Sequence, residues 1–208
     1  MIELYTWETP NGRKISIMLE ECGLPYKVHK VHLGEGEQFM PEFIALNPNN
    51  KIPVIVDSDG PGDENGGSPI TLMESGAILI YLAGKTGKFL PKTVRGKYKA
   101  LEWLMFQMGG VGPMFGQLHV FLKLAEPVPY ALERYTKEKD RLYGVLDRRL
   151  GEAPYLAGEY SIADIASYPW VARHTFHKLD FAAYPNVKRW FDAISVRPAV
   201  VRGMAVPA

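Results

Sequence analysis

Asn47-Pro48-Asn49-Asn50-Lys51-Ile52-Pro53-Val54-Ile55-Val56 is the stretch on which the reading of the fold turns. Four turn-forming residues lead to an X-Pro dipeptide, and the apolar run behind it reads as a buried strand. Upstream, Ile2-Glu3-Leu4-Tyr5 alternates apolar and polar and Thr9-Pro10-Asn11-Gly12 is a turn. A 3.6-residue period follows, with Ile15, Met18, Leu19 and Cys22 on one face, Lys14, Glu20 and Glu21 turned away, and Gly23 as the stop. Tyr26 to Val31 alternates again, so strand, helix and strand fit within about thirty residues, the size of a βαβ unit with parallel strands. Phe39 to Leu46 reads as an irregular connection.

Downstream of the opening stretch, a turn-rich loop from Ser58 to Pro69 contains Gly60-Pro61-Gly62-Asp63-Glu64-Asn65-Gly66-Gly67, a low-complexity patch expected to be a solvated hairpin loop. Ile70-Thr71-Leu72-Met73 is the strand on its far side, antiparallel to Val54-Ile55-Val56. Helical spacing resumes from Ser75 to Ala83 through Ile78, Leu79 and Leu82, before Gly84 and Gly87. The order is βαβ, then ββα.

Beyond Pro91 the pattern is helical throughout, carried by Ala100, Leu101, Leu104 and Met105 and later by Leu142, Val145, Leu146 and Leu150. The expected organisation is an α/β domain over residues 1–86, a linker at 87–93 and an all-helical domain over 94–208. Ser161, with Asp164 three residues on, is a carboxylate form of the capping box, and Tyr160 and Ile165 stand at staple positions. Gly109, Gly110, Gly112 and Pro113 are expected to interrupt a helix. Met105, Met108, Met114 and Phe115 beside them line either an adaptable pocket or plain core.

Lys and Arg total 24 against 23 Asp and Glu, a net charge of +1 that gives no polyanion a reason to bind, so nucleic acid is not an expected partner. The apolar runs fall far short of the roughly 18 residues of a membrane span, and no basic segment followed by an apolar block opens the chain; a cytoplasmic protein is expected. Cys22 is the only cysteine, which excludes an intrachain disulfide, a thiolate zinc cage and a CxxC redox pair. Any sulfur chemistry must borrow its second sulfur. His29, His32, His119, His174 and His177 form no convincing metal set, and His174 and His177 read as surface or packing residues.

Five features together resemble the cytosolic glutathione transferases: the Thr9-Pro10-Asn11-Gly12 turn, the 47–53 segment, Glu74-Ser75 at a helix start, the Gly109–Met114 stretch and Ser161-Ile162-Ala163-Asp164. The first and fourth are similar to the bacterial nu class, whose members act as glutathione-dependent disulfide-bond oxidoreductases. The resemblance spans nearly the whole chain. It implies a thioredoxin-like βαβ-ββα domain followed by helices, glutathione as bound co-substrate, no metal, and a homodimer.

The resemblance also assigns roles. Ile52-Pro53 would be cis, although from the residues alone an ordinary turn is the commoner form. The Ile52 backbone would pair with the cysteinyl part of glutathione. Glu74 and Ser75 would meet the γ-glutamyl head, whereas Ser75 read alone is an N-cap. Gln38 and Lys51 would lie along the glycyl and γ-glutamyl ends. Arg134 would reach a glutathione carboxylate across the dimer interface, or else be a surface charge. Thr9 and Asn11 would steady the thiolate; the same four residues make a good turn without any chemistry. Tyr5 belongs to a strand and is not read as a catalytic tyrosine. The implied activity is disulfide exchange with glutathione, not a protein cysteine, as the attacking thiol, and peroxide reduction as a side activity. A transferase conjugating carbon electrophiles and a non-catalytic glutathione-binding regulator are the alternatives that share the fold.

Overall fold

The computed structural model describes residues 1–63 and 66–207. Its contacts divide it into two units, one of Met1–Lys88 together with the residues from Arg197 onward, the other of Phe89–Val196.

The first unit begins with β1 (Ile2–Thr6), α1 (Pro10–Cys22) and β2 (Tyr26–Lys30), continues through α2 (Pro41–Leu46), β3 (Val54–Asp57), β4 (Gly62–Asp63), β5 (Gly66–Gly67), β6 (Ile70–Met73) and α3 (Ser75–Thr86), and is completed by α9 (Pro198–Met204). Four strands form one sheet in the order β2-β1-β3-β6. β1 and β2 are parallel, while β3 is antiparallel to both β1 and β6, the pairing expected of βαβ followed by ββα. This is the thioredoxin-like arrangement. Ile2, Leu4, Val54 and Ile55 of the sheet and Ile15, Met18, Leu19, Ile78, Leu79 and Leu82 of α1 and α3 are buried and form its core. Thr9 caps α1 and accepts from the Gly12 N–H at 3.1 Å, and Gly23 ends that helix in the left-handed conformation. β4 and β5 pair within the glycine-rich patch; its Glu64 and Asn65 lie outside the described residues.

The second unit is helical: α4 (Val94–Phe106), α5 (Gly112–Lys123), α6 (Pro129–Glu152), α7 (Ile162–Val171) and α8 (Pro185–Ser195). The capping box at Ser161 is present. Asp164 Oδ2 accepts from the Ser161 N–H and hydroxyl, and its Oδ1 accepts from the Leu156 N–H and Trp190 Nε1.

The structure corrects or sharpens four expectations. Phe39 to Leu46 is not irregular throughout, because Pro41 opens the short helix α2, whose Phe43 is buried with Val31, Ile52 and Val54. The glycines at 109–112 do interrupt the α-helix, but with a helical turn of another kind and not with a break in the chain's course. α4 passes into α5 through a π-helical turn over Gln107–Val111, where a Cβ on Gly112 would come within 2.7 Å of Gln107 Nε2. Phe115 is core, at 5.0 Å from the Tyr143 ring, while Met105 is exposed. Finally, α9 does not group with the helical unit. A Cβ on Gly203 would lie 2.5 Å from Ile17 Cα, so the two backbones touch; Ser16 donates to the Gly203 carbonyl at 2.7 Å, and Arg197 grips Glu21 with two hydrogen bonds.

Candidate functional site

The register brings the candidate residues of the first unit to one end of the sheet. Tyr5 pairs with Val54 and Val54 with Met73, so the exit of β1, the entry of β3 and the exit of β6 are neighbours. Trp7 to Asn11 follow the first, Ile52-Pro53 precede the second, and Glu74-Ser75 follow the third. β2 ends on the same side, because it is parallel to β1, and the segment carrying Gln38 comes after it. Open sheets bind ligands where strand ends leave backbone groups and helix starts unpaired by the ladder.

At this end each segment is fixed locally. Thr9 is spent partly as a cap, and Asn11 stands in the first turn of α1, half-buried. Ile52-Pro53 is cis, and Ile52 lies beyond the first paired residue of β3. Lys51 is exposed, and its carbonyl accepts from Asn47 Nδ2 at 2.7 Å. Glu74 has φ +67° and ψ +110°, a backbone uncommon for a side-chain-bearing residue, and it is the N-cap position of α3. Ser75 is therefore the first helical residue and not the cap that a reading of the residues alone allows. Gln38 Nε2 is 3.5 Å from the Leu33 carbonyl, and its buried Oε1 has no hydrogen-bond partner among the described residues.

Lys14 is the residue that sequence reasoning missed. It is not turned away from the core: it is 1% exposed, and its Nζ donates to Ser75 Oγ at 3.1 Å. Burial drives its ammonium down to about 7, against the opposing pull of Glu74. Ile17 and Met18, three and four residues on, share its face of α1 and are both buried. That pattern is visible in the sequence, but a single apolar stripe leaves Ile17 out.

Cys22 sits at the other end of α1, about 20 Å from Thr9 by helical rise. It is buried, with Sγ 3.5 Å from Thr86 Oγ1, and burial raises its thiol. Tyr5 is a strand residue, its ring stacked on His29 at 4.5 Å and its hydroxyl donating to Glu3 at 3.2 Å. Arg134 belongs to the second unit, exposed on α6, where it lines a cavity of about 570 Å³ with Met114, Tyr130, Tyr135 and Arg141. His119 Nε2 and His177 Nε2 lie 2.6 Å apart, and His177 Nδ1 is 3.2 Å from the Tyr143 hydroxyl. No group of three or more His, Cys, Asp or Glu suited to a metal ion occurs among the described residues, and no helix there is long and apolar enough to cross a membrane.

The N-terminal domain of glutathione S-transferase matches residues 9–85, and the C-terminal domain of the same family matches residues 113–198. The chain belongs to the glutathione S-transferase family. Among its relatives, the disulfide-bond oxidoreductase YfcG of Escherichia coli is 54% identical over 201 residues, covering 96% of this chain and 92% of the relative. A second Escherichia coli disulfide-bond oxidoreductase, YghU, is 36% identical over 222 residues, covering 99% and 74%. Two solved structures are similar to this chain in fold. A glutathione transferase from Burkholderia graminis, with two glutathione molecules bound per subunit, has a TM-score of 0.94 at 50% identity, covering 99% of this chain and 88% of that one. One from Pseudomonas putida, with one glutathione disulfide bound per subunit, has a TM-score of 0.92 at 46% identity, covering 100% and 92%.

Proposed function

We propose that this protein is a glutathione-dependent disulfide-bond oxidoreductase in which glutathione, not a protein cysteine, supplies the attacking sulfur. The carrying observation is the separation along α1: Thr9 and Asn11 stand at the sheet end where Ile52-Pro53 and Glu74-Ser75 converge, and the lone thiol Cys22 is buried about 20 Å away.

The residues present fit glutathione. Ile52 offers backbone beyond the ladder for the cysteinyl part, the start of α3 offers N–H groups and Ser75 for the γ-glutamyl carboxylate, and exposed Glu74 offers a carboxylate for the ammonium. Gln38, with an unsatisfied Oε1, and Lys51 serve the rest of the tripeptide. Thr9, Asn11 and the N–H groups opening α1 favour a thiolate held there. Neutral donors activate it modestly, which suits disulfide exchange because nucleophilicity falls as the thiol pKa falls. The thiolate attacks one sulfur of the substrate disulfide and expels a substrate thiolate. A second glutathione then attacks the mixed disulfide, leaving oxidised glutathione and a second reduced substrate thiol. Electrons balance without a protein cysteine. The names of YfcG and YghU support this reading over the conjugating transferase. The proposal includes a cytoplasmic homodimer in which Arg134 of a second copy reaches a glutathione carboxylate, and peroxide reduction as a side activity.

The test is turnover of glutathione with a small mixed disulfide, compared with turnover on an aryl halide. Cys22→Ala is expected to retain exchange, while Asn11→Ala lowers kcat/KM by about 10- to 100-fold, the worth of one hydrogen bond to a charged group. Loss of exchange in Cys22→Ala overturns the borrowed-sulfur mechanism. Turnover of the aryl halide alone makes the protein a conjugating transferase.

A further inference from the structure

We infer that Lys14 is a positioning residue for glutathione: seated beneath the start of α3 and bonded to the Ser75 hydroxyl, its ammonium supplies the positive charge that the γ-glutamyl carboxylate meets through Ser75. The inference rests on the reading of this sheet end as a glutathione site.

An ammonium is among the costliest groups to bury unless its charge is met. Lys14 is as buried as the leucines around it, yet its side chain reaches the first residue of α3, with Nζ 3.1 Å from Ser75 Oγ. A Ser hydroxyl that accepts from an ammonium becomes a stronger donor in turn. Beside it are the N–H groups of the first turn of α3, which intrahelical bonding leaves over. An incoming carboxylate at this point would meet three favourable terms: the polarised hydroxyl, the helix start and the charge behind them.

Charged groups on the elements packed around Lys14 set the field it sits in. On α3, Glu74 acts on it through its field, while Tyr81 and Lys85, further along, are held by Asp57. On α9, Arg197 and Arg202 are held by Glu21 and Glu20, one to two turns further down α1, whose own Arg13 is half-buried. Lys88 donates to the Cys22 carbonyl at the far end of α1. With its ammonium depressed to about 7, Lys14 is mostly neutral near pH 8. A bound carboxylate stabilises the protonated form, so binding at that pH draws a proton from solvent.

The experiment is calorimetric titration of S-methylglutathione, which has no thiol proton to release, into the full chain in buffers of different ionisation enthalpy. For the wild type, uptake approaching about one proton is expected near pH 8 and none near pH 6, where Lys14 is already charged. Lys14→Arg should bind with no uptake at either pH. Lys14→Met should bind about tenfold more weakly, also without uptake. Wild-type binding with no proton uptake near pH 8, or uptake that persists in Lys14→Arg, overturns the inference while leaving the glutathione site standing. Failure of the wild type to bind S-methylglutathione overturns both. If Lys14→Met does not fold, the wild type and Lys14→Arg decide between these outcomes.

Discussion

Asn47 bridges the loop that it begins: its Nδ2 donates to the Lys51 carbonyl at 2.7 Å, while its Oδ1 accepts from the Asn49 N–H at 2.8 Å. At 2% exposure it is a buried polar side chain with both ends of its amide engaged, and the chain it ties down leads directly into Ile52-Pro53. Asn47→Ala removes both bonds and is expected to destabilise the fold by about 1–3 kcal/mol. It should also weaken glutathione binding about 5- to 30-fold, because the Ile52 backbone is no longer held in place. Urea denaturation and calorimetry on the same variant check the two parts, and unchanged affinity would show that the loop needs no such brace.

Gly203→Ala is expected to cost about 1–3 kcal/mol or more, since its Cβ would overlap the Ile17 backbone, which cannot move aside as a side-chain tip can. The measurement is the shift in urea midpoint. Ala at the exposed α3 position Gly84, where a Cβ meets nothing within 4 Å, is the control and should leave the midpoint unchanged or raise it.

Asp164→Ala deprives four donors of their acceptor at once: the Leu156 and Ser161 N–H groups, the Ser161 hydroxyl and Trp190 Nε1. A loss of about 3–5 kcal/mol is expected, because these groups are buried and have no route to water. Near-ultraviolet circular dichroism, which reports the Trp190 environment, should change together with the denaturation midpoint. A loss below about 1 kcal/mol would mean that water replaces the carboxylate.

The His119–His177 pair makes the protein acid-sensitive. Burial, and then the neighbouring charge of His119, Lys139 and Arg173, lowers His177 to about 3; burial, with Arg173 and Lys123, lowers His119 to about 4. Both values lie below the unfolded value of 6.5, so the folded chain binds fewer protons than the unfolded one beneath that pH. Their contribution to stability is present above pH 6.5 and is lost as pH falls towards 4 and then 3. Each contributes a slope of up to about 1.4 kcal/mol per pH unit. Urea midpoints measured between pH 7 and pH 4 should fall less in His119→Gln than in the wild type, with the buried Asp164 carboxyl, raised to about 6, opposing the histidines in both.

Much of the fold is legible because its signals are local. The period-two runs in β1 and β2 come from alternation of side chains across a pleat, the apolar run of β3 from burial, and the caps at Thr9 and Ser161 from hydroxyls within three residues of the N–H groups they serve. The turn residues around Asn47 and Thr9 likewise announce chain reversals that leave their backbone beyond the ladder. Lys14 escapes a reading by periodicity because α1 packs on more than one side, so a charge that lies off the apolar stripe can still be buried. The glycines announce the break at Gln107–Val111, but its π-helical form depends on the hydrogen bonding of the folded chain and is not written in them.

Local pattern, set by the chemistry of residues a few positions apart, determined on its own the βαβ-then-ββα order of the first unit, the absence of a second protein thiol and the turns that lead into Asn11 and Ile52. Only the tertiary structure decided that α9 closes on α1 through Gly203 and Ile17, that β1, β3 and β6 deliver their ends to one place, and that a lysine lies buried beneath Ser75. Those depend on contacts between residues up to 187 positions apart, such as Ser16 and Gly203, and no period within a single element encodes them.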